Sequence, residues 1–452
     1  MQEIDRTKSI EELMNDCTIE QLEEKIKEVY LIIDPGIIRI VLATVIGNRL
    51  GLADKPIWLL LLSGSSSGKT ATMDLLSKCG PWMVPVDTLT TNTFASGLKR
   101  DNEVSLLYKA NNGVFIFKDF TGIMNMNEEG LKEIMGQLRN IYDGEFTKRT
   151  GNDADVEWKG KVGIIAGGTI ASQRKMRQFS EQGERFINYI MNVADAKQIT
   201  KRALTNQKGA KIKADELAEM VGKFVNNRIN AVQSSNLTIP ESIQDAMIDV
   251  ADFATKARSP VTMSKKDPTM VEFVGDREMP PRMAIMLSNI AIALMVISGE
   301  ETLGGLNASI LYKTALDSIP VERRLILRVL AEYPRASTRA IATHLNYPTM
   351  TIRAWCNQLN ALKMINRISA GQGIGNSDTW VLKPEYKDVM REYEGIEEVE
   401  AELEEGEDNY QEANAYVDPA DTDEDELLAK INNKKTDLDK EFPDPKPVQQ
   451  QF

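Results

Sequence analysis

Ile57-Trp58-Leu59-Leu60-Leu61-Leu62-Ser63-Gly64-Ser65-Ser66-Ser67-Gly68-Lys69-Thr70 carries six apolar residues straight into a serine- and glycine-rich loop. A run of that length bounded by glycine reads as a buried strand, and the loop after it, leading into a helix, has the form of a phosphate-binding loop. Small residues let successive backbone N–H groups curl around a β-phosphate while a helix N-terminus faces the anion. The lysine reaches the β/γ oxygens, and the hydroxyl of Thr70 is a ligand for Mg²⁺. The spacing Gly-x4-Gly-Lys-Thr is met with Ser63 in place of the first glycine and Gly64 displaced by one. Gly64, Ser65, Ser66, Ser67, Gly68, Lys69 and Thr70 are therefore the expected nucleotide-binding residues, with ATP and Mg²⁺ as cofactors.

A chain of 452 residues is long enough for two or three domains, each with its own core. Its three cysteines, Cys17, Cys79 and Cys356, are scattered and show no C-x-x-C spacing, which points to a reducing cytosol and away from a zinc or redox site. The one histidine, His344, excludes His-rich metal sites and argues against a Ser/His or Cys/His triad. Catalysis then falls to carboxylates, lysine, arginine and a bound metal. The opening Met1-Gln2-Glu3-Ile4-Asp5 is acidic and no apolar core follows, so no secretory signal is read. The most apolar helical stretch, 283–298, is interrupted by Ser288-Asn289 and is too short for a membrane span; it reads as a core helix.

The net charge of −13 is unevenly distributed. Residues 391–452 hold 21 acidic and 6 basic residues, a balance of −15, which leaves +2 for residues 1–390. This segment is poor in apolar residues and ends Pro443-Asp444-Pro445-Lys446-Pro447. Composition predicts a disordered acidic tail there, suited to recruiting partners.

Residues 1–55 read as helices, the second entered at Asp34-Pro35 and carrying Ile37, Ile38, Val41, Leu42, Val45 and Ile46 at helical spacing. From 56 to 199, strand-like runs at 57–62, 114–117, 162–166 and 186–193 alternate with helical ones, the grammar of an α/β parallel sheet covered by helices. Between 200 and 318 only helical periodicity remains, broken by a loop at 259–281. A P-loop sheet followed by a helical lid resembles the layout of the AAA+ ATPases.

Gly113-Val114-Phe115-Ile116-Phe117-Lys118-Asp119-Phe120 is an apolar strand ending in a carboxylate, the form of a Walker B element. With the residues that follow it, Thr121-Gly122-Ile123-Met124-Asn125, it resembles the minichromosome maintenance (MCM) helicases, with Lys118-Asp119 where that family has Asp-Glu. The resemblance spans about 58–294 through ordered motifs. It implies that Asp119 serves both the metal and the attacking water. It implies that the stretch 144–159, two polar-apolar strands around Gly151-Asn152-Asp153, is a hairpin before sensor 1, whose Lys148 and Arg149 meet single-stranded DNA in a central pore. Sensor 1 falls on the strand from Lys161, where the family's asparagine aligns with Gly168 and Thr169 is its substitute. Gly183-Glu184-Arg185-Phe186 resembles the segment that presents an arginine finger, Arg185, to a neighbouring subunit. Pro281-Arg282 resembles sensor 2, with Arg277 a nearby competitor. The stretch before the loop is short and lacks Cys pairs, so a zinc-bearing N-terminal domain of the MCM kind is not expected in it. The resemblance implies a compact, ring-forming, hexameric relative from a phage or mobile element, working in the cytosol of a bacterial host.

Residues 321–332, 337–345 and 348–364 read as three helices, the middle one capped by Ser337. A strand at 365–369, a glycine-rich loop and a strand at 378–382 follow, which makes a winged helix over 319–390. Thr349, Thr351, Arg353, Asn357 and Gln358 are expected on its exposed reading face, with Arg367 on the wing, and Ile352, Trp355, Leu359 and Leu362 in its core. The local excess of 10 basic over 5 acidic residues in 321–390 fits duplex DNA. The same motifs also fit a nucleotide-switched DNA-loading protein that hydrolyses ATP slowly without unwinding, and an ATP-binding regulatory scaffold.

Overall fold

The computed structural model describes residues 17–52, 54–64, 67–94, 106–148, 156–176, 184–192, 196–205, 210–232, 239, 241–368, 378–387 and 389–390. Helices α1 (Ile19–Val29) and α2 (Ile37–Leu50) lead into β1 (Trp58–Leu62), α3 (Lys69–Asp74), β2 (Met83–Pro85), α4 (Leu106–Lys109) and β3 (Gly113–Phe117). Next come α5 (Thr121–Met124), α6 (Glu128–Asp143), β4 (Glu145–Lys148), β5 (Val156–Lys159), β6 (Val162–Gly168), α7 (Ile170–Met176) and β7 (Ile187–Ile190). The middle of the chain forms α8 (Ala196–Thr205), α9 (Ala210–Val232), α10 (Glu241–Arg258), β8 (Val261–Met263), β9 (Val271–Val274), α11 (Pro281–Ser298) and α12 (Gly305–Asp317). It ends in α13 (Val321–Glu332), β10 (Arg335–Ser337), α14 (Thr338–Leu345), α15 (Thr349–Ala361), β11 (Ile365–Ile368) and β12 (Thr379–Leu382).

The molecule is α/β, organised on a five-stranded sheet of order β2-β3-β6-β1-β7 in which every pairing is parallel. Strands β1, β3 and β6 are buried from end to end, which is why their sequences are unbroken apolar runs rather than alternations. Successive side chains nonetheless go to opposite faces. Leu59, Leu61, Val114, Ile116 and Ile165 enter one core, and Trp58, Leu60, Leu62, Phe115 and Phe117 enter the other with Leu138 and Ile141 of α6.

The first core extends through α1, α2 and the helices of 200–318 to Met390. Helix α2 is buried almost all round, since it lies between the sheet and α11. Asn48 at its end is locked to the start of β1: its amide nitrogen donates to the Ile57 carbonyl at 2.9 Å and its oxygen accepts from the Ile57 N–H at 2.8 Å. Two buried carboxylates hold β7. Asp34 accepts from the Tyr189 hydroxyl at 2.6 Å and the Asn192 N–H at 2.9 Å, while Asp317 accepts from the Ile190 N–H at 2.7 Å. Asp317 also pairs with Lys313 at 3.3 Å and with Arg324. Helix α11 is long and apolar enough to cross a membrane by composition, but most of it is buried inside the protein, with Asn289 among its buried residues.

Several local expectations are revised. The loop expected at 259–281 contains the antiparallel hairpin β8–β9, paired from Val261↔Val274. The strand expected at 186–193 is Ile187–Ile190. Three helices and a hairpin occur in the order expected after 319, and β10 adds a third strand through Ser337↔Thr379, giving a sheet of order β10-β12-β11. Ser337 caps α14 by accepting from the Ala340 N–H at 3.1 Å. Trp355, expected in the core, is half-buried against Tyr347, ring centroids 4.9 Å apart. The inward row of α15 is Ile352, Cys356 and Leu359, one helical stripe to which Cys356 rather than Trp355 belongs. Gln358, expected on the reading face, accepts at 3.0 Å from the buried Arg323.

Candidate nucleotide-binding site

Strand order reverses around β1: from β1 the chain crosses to the far edge at β2, and from β6 it passes to the other side of β1 at β7. In open parallel sheets, ligands bind beyond the carboxyl ends of the strands at such a reversal. Ser63 leaves β1 there, its N–H donating to the Gly168 carbonyl of β6 at 3.3 Å. Gly64 is exposed, Ser67 half-buried, and Gly68 takes φ +93°, a left-handed conformation that favours glycine at the entry to α3. Ser65 and Ser66 lie outside the described residues.

The Lys69 ammonium folds back into this loop, donating to the Ser63 carbonyl at 3.0 Å, the Ser63 hydroxyl at 2.9 Å and the Gly64 carbonyl at 2.6 Å. A longer contact of 3.3 Å reaches the Ser67 hydroxyl. Burial lowers the Lys69 pKa below its ordinary value, and the nearby Asp119 carboxylate opposes the shift. Three loop oxygens therefore mark the point a cation occupies here, and an anionic ligand is the natural competitor for it. Thr70 is exposed on the first turn of α3.

Asp119 follows β3 and is exposed, one of its oxygens accepting from the Thr121 N–H at 2.8 Å. Its neighbour Lys118 turns to α3 and pairs with Asp74 at 2.6 Å. Thr169, at the end of β6, is in the expected place, but its hydroxyl is engaged with Ser172 at 3.2 Å, at the start of α7. Ser172 is buried and also contacts the Thr121 hydroxyl at 3.1 Å, so it ties the ends of β3 and β6 together. Sequence reasoning missed Asp74 and Ser172. The spacings that could have found them are Thr70 to Asp74, one helical turn, and Thr169 to Ser172, a capping interval.

Arg185 and Arg282 are together, at the other end of the sheet. Arg185 is 9% exposed, lies over the Tyr142 ring and stands 3.6 Å from the Asp143 carboxylate. Burial, then the charge of Arg282, lowers its pKa from the usual arginine range. Burial also raises the Tyr142 phenol to about 12. Arg282 donates to the Glu184 carbonyl at 3.2 Å and lines a cleft of about 720 Å³ with Glu184, Arg277, Glu278 and Lys55. The competing Arg277 pairs with Asp252. Because Leu59 is level with Ile187, Arg185 is level with Ile57. Six residues of strand separate that level from Ser63, about 20 Å at roughly 3.3 Å per residue.

The residues expected to meet DNA are dispersed. Lys148 ends β4 and is held by Asn92 at 3.2 Å and Glu133 at 3.6 Å; Arg149 lies outside the described residues. Arg353 and Arg367 converge on Asp378 at 3.3 and 2.7 Å, each still over two-fifths exposed. Asn357 donates at 2.7 Å to the Thr269 carbonyl in the turn between β8 and β9, so part of the expected reading face is covered. The acidic segment 391–452 and the loop 369–377 lie outside the described residues.

No protein-family model and no curated protein matches this chain.

Donors for a protein-held Mg²⁺ are few. Among the described residues no cluster of three His, Cys, Asp or Glu could hold a metal ion. Thr70 and Asp119 offer one hydroxyl and one carboxylate, and the adjacent strand-end position carries an ammonium. This set does not fit a metal held through paired strand-end carboxylates.

Proposed function

We propose that the chain is an AAA+ P-loop ATPase acting on DNA, assembled into a hexameric ring in which two neighbouring subunits meet to complete each site. The work of such a ring is ATP-driven DNA unwinding or replication initiation for a phage or mobile element in a bacterial cytosol. Single-stranded DNA would contact Lys148 in the pore, and duplex DNA the winged helix formed by α13–α15 and β10–β12.

The observation that supports this reading is the split of the four candidate catalytic residues between opposite ends of one sheet. Lys69 and Asp119 stand beyond the carboxyl ends of the strands, with Thr169 beside them, while Arg185 and Arg282 stand about 20 Å away at the amino ends, by the strand rise. An arginine stabilises the charge of phosphoryl transfer only in contact with the phosphates. No arginine side chain spans that interval, so in one subunit Arg185 and Arg282 cannot serve its own loop. A head-to-tail neighbour can present them, and head-to-tail contacts form a ring when the rotation between subunits closes.

In this reading the loop and Lys69 bind the triphosphate of ATP and Asp119 positions the attacking water. Arg185 and Arg282 of one subunit face the loop of the next. The hexameric state and the recruitment of replication partners by the acidic segment 391–452 belong to the same proposal.

The test is strand displacement on a forked DNA with ATP, run for wild type and Lys69→Ala. ATP-dependent unwinding by wild type and none by the variant is the expected result. DNA-stimulated ATP hydrolysis without unwinding would favour a loading protein instead. Absence of ATP binding would refute the nucleotide site itself.

A further inference from the structure

Lys118 occupies the strand-end position next to Asp119, and its ammonium is 2.6 Å from the Asp74 carboxylate. Asp74 lies one helical turn beyond Thr70 on α3, and residues four apart share a helix face. The ion pair therefore lies on the side of α3 that carries the Thr70 hydroxyl. Close approach of helix and sheet makes this contact possible. A Cβ at Gly167 of β6 would come within 2.9 Å of the Met73 methyl and 2.7 Å of the Lys118 carbonyl oxygen, so glycine leaves room for α3 to lie against the end of β3.

The pair is not explained by stability. Its side chains are 41% and 49% exposed, and ion pairs that open to solvent add little to folding. A carboxylate at position 118 would attract a divalent cation, whereas an ammonium there repels one and attracts phosphate oxygens. Asp74, the other acid on this side, is already neutralised by Lys118.

Resting on the nucleotide reading of the loop, we propose that this site binds nucleoside triphosphate without a divalent cation, and that Lys118 is the residue that makes it so. Lys69 supplies the positive charge, while Lys118 takes the place of a second strand-end carboxylate and, by pairing with Asp74, masks the other acid that would draw a metal ion.

The experiment is calorimetric titration of the non-hydrolysable ATP analogue AMP-PNP into the full-length chain, in excess EDTA and in millimolar Mg²⁺. Wild type should show affinities that differ by less than about tenfold between the two buffers. Lys118→Asp should bind at least about tenfold more tightly with Mg²⁺ than in EDTA. Lys118→Met, which adds no second acid beside Asp74, should lose about tenfold in EDTA relative to wild type. Thermal melts establish that each variant is folded; if Lys118→Asp is not, Lys118→Met decides alone.

A wild-type loss of tenfold or more in EDTA overturns the inference. So does a folded Lys118→Asp without Mg²⁺ dependence, or a Lys118→Met as tight as wild type in EDTA. Lys69→Ala separates this failure from failure of the nucleotide reading. Wild-type binding that persists in Lys69→Ala lies elsewhere, and absence of binding in both buffers refutes the loop assignment and the inference with it.

Discussion

Mixing two inactive variants tests the division of the site between subunits. Lys69→Ala removes the cation held by the loop oxygens of Ser63 and Gly64, and Arg185→Ala removes the guanidinium packed on Tyr142 at the other end of the sheet. Each should be nearly inactive alone. Loss of an arginine that stabilises the transferring phosphoryl group lowers turnover by about 10³–10⁵-fold, or about 4–7 kcal/mol of transition-state stabilisation. The strand register sets Arg185 level with Ile57, about 20 Å from Ser63 by the rise of a strand, so the two defects fall on different interfaces. In an equimolar, randomly assembled mixture, about one interface in four pairs an intact Lys69 with an intact Arg185. Steady-state ATP hydrolysis in the mixture should therefore recover to about a quarter of wild type if interfaces act independently. Fluorescence energy transfer between differently labelled variants checks that the subunits have mixed. Mixed assemblies with no more activity than the two variants alone would refute the trans arrangement.

Asp119→Asn should retain nucleotide affinity and lower turnover by about 10²–10⁴-fold, as loss of a catalytic carboxylate does; phosphate release beside a binding titration measures both, and near-wild-type turnover would remove Asp119 from the mechanism. Asp317→Ala should destabilise the fold by about 3–5 kcal/mol, because it strands the cations of Lys313 and Arg324 and leaves the Ile190 N–H without its acceptor. Urea unfolding measures it, and a loss under about 1 kcal/mol would show that water takes over those contacts.

What could be read from the sequence follows burial. Strands β1, β3 and β6 are covered on both faces, so Leu59 to Leu62, Val114 to Phe117 and Val162 to Ala166 announce themselves as apolar runs. The hairpin β8–β9 is largely exposed, and Glu272, Phe273 and Val274 leave no buried face to read. Trp355 was expected inside on its helical spacing with Ile352, Leu359 and Leu362, yet the buried stripe of α15 centres on the smaller Cys356. The loop around Lys69 was legible because its spacing is local. The partners of Lys118 and Thr169 depend on how α3 and α7 dock on the sheet, and no interval in the sequence encodes the meeting of Lys118 with Asp74. The nearness of Arg185 to Arg282, which come from distant segments, is likewise a product of packing.

The clamping of β7 from both sides has a practical consequence for dividing the chain. A fragment cut at residue 56 to isolate the sheet would keep the loop after β1 and discard Asp34 and Asn48, which fasten β7 and the start of β1. One ended before residue 313 would discard Asp317, the acceptor on the opposite side. The smallest expressible piece that keeps the loop in its native setting therefore begins ahead of Asp34 and runs past Asp317. Trimming at the apparent motif boundaries would yield a soluble-looking sequence whose edge strand has lost both of its fasteners.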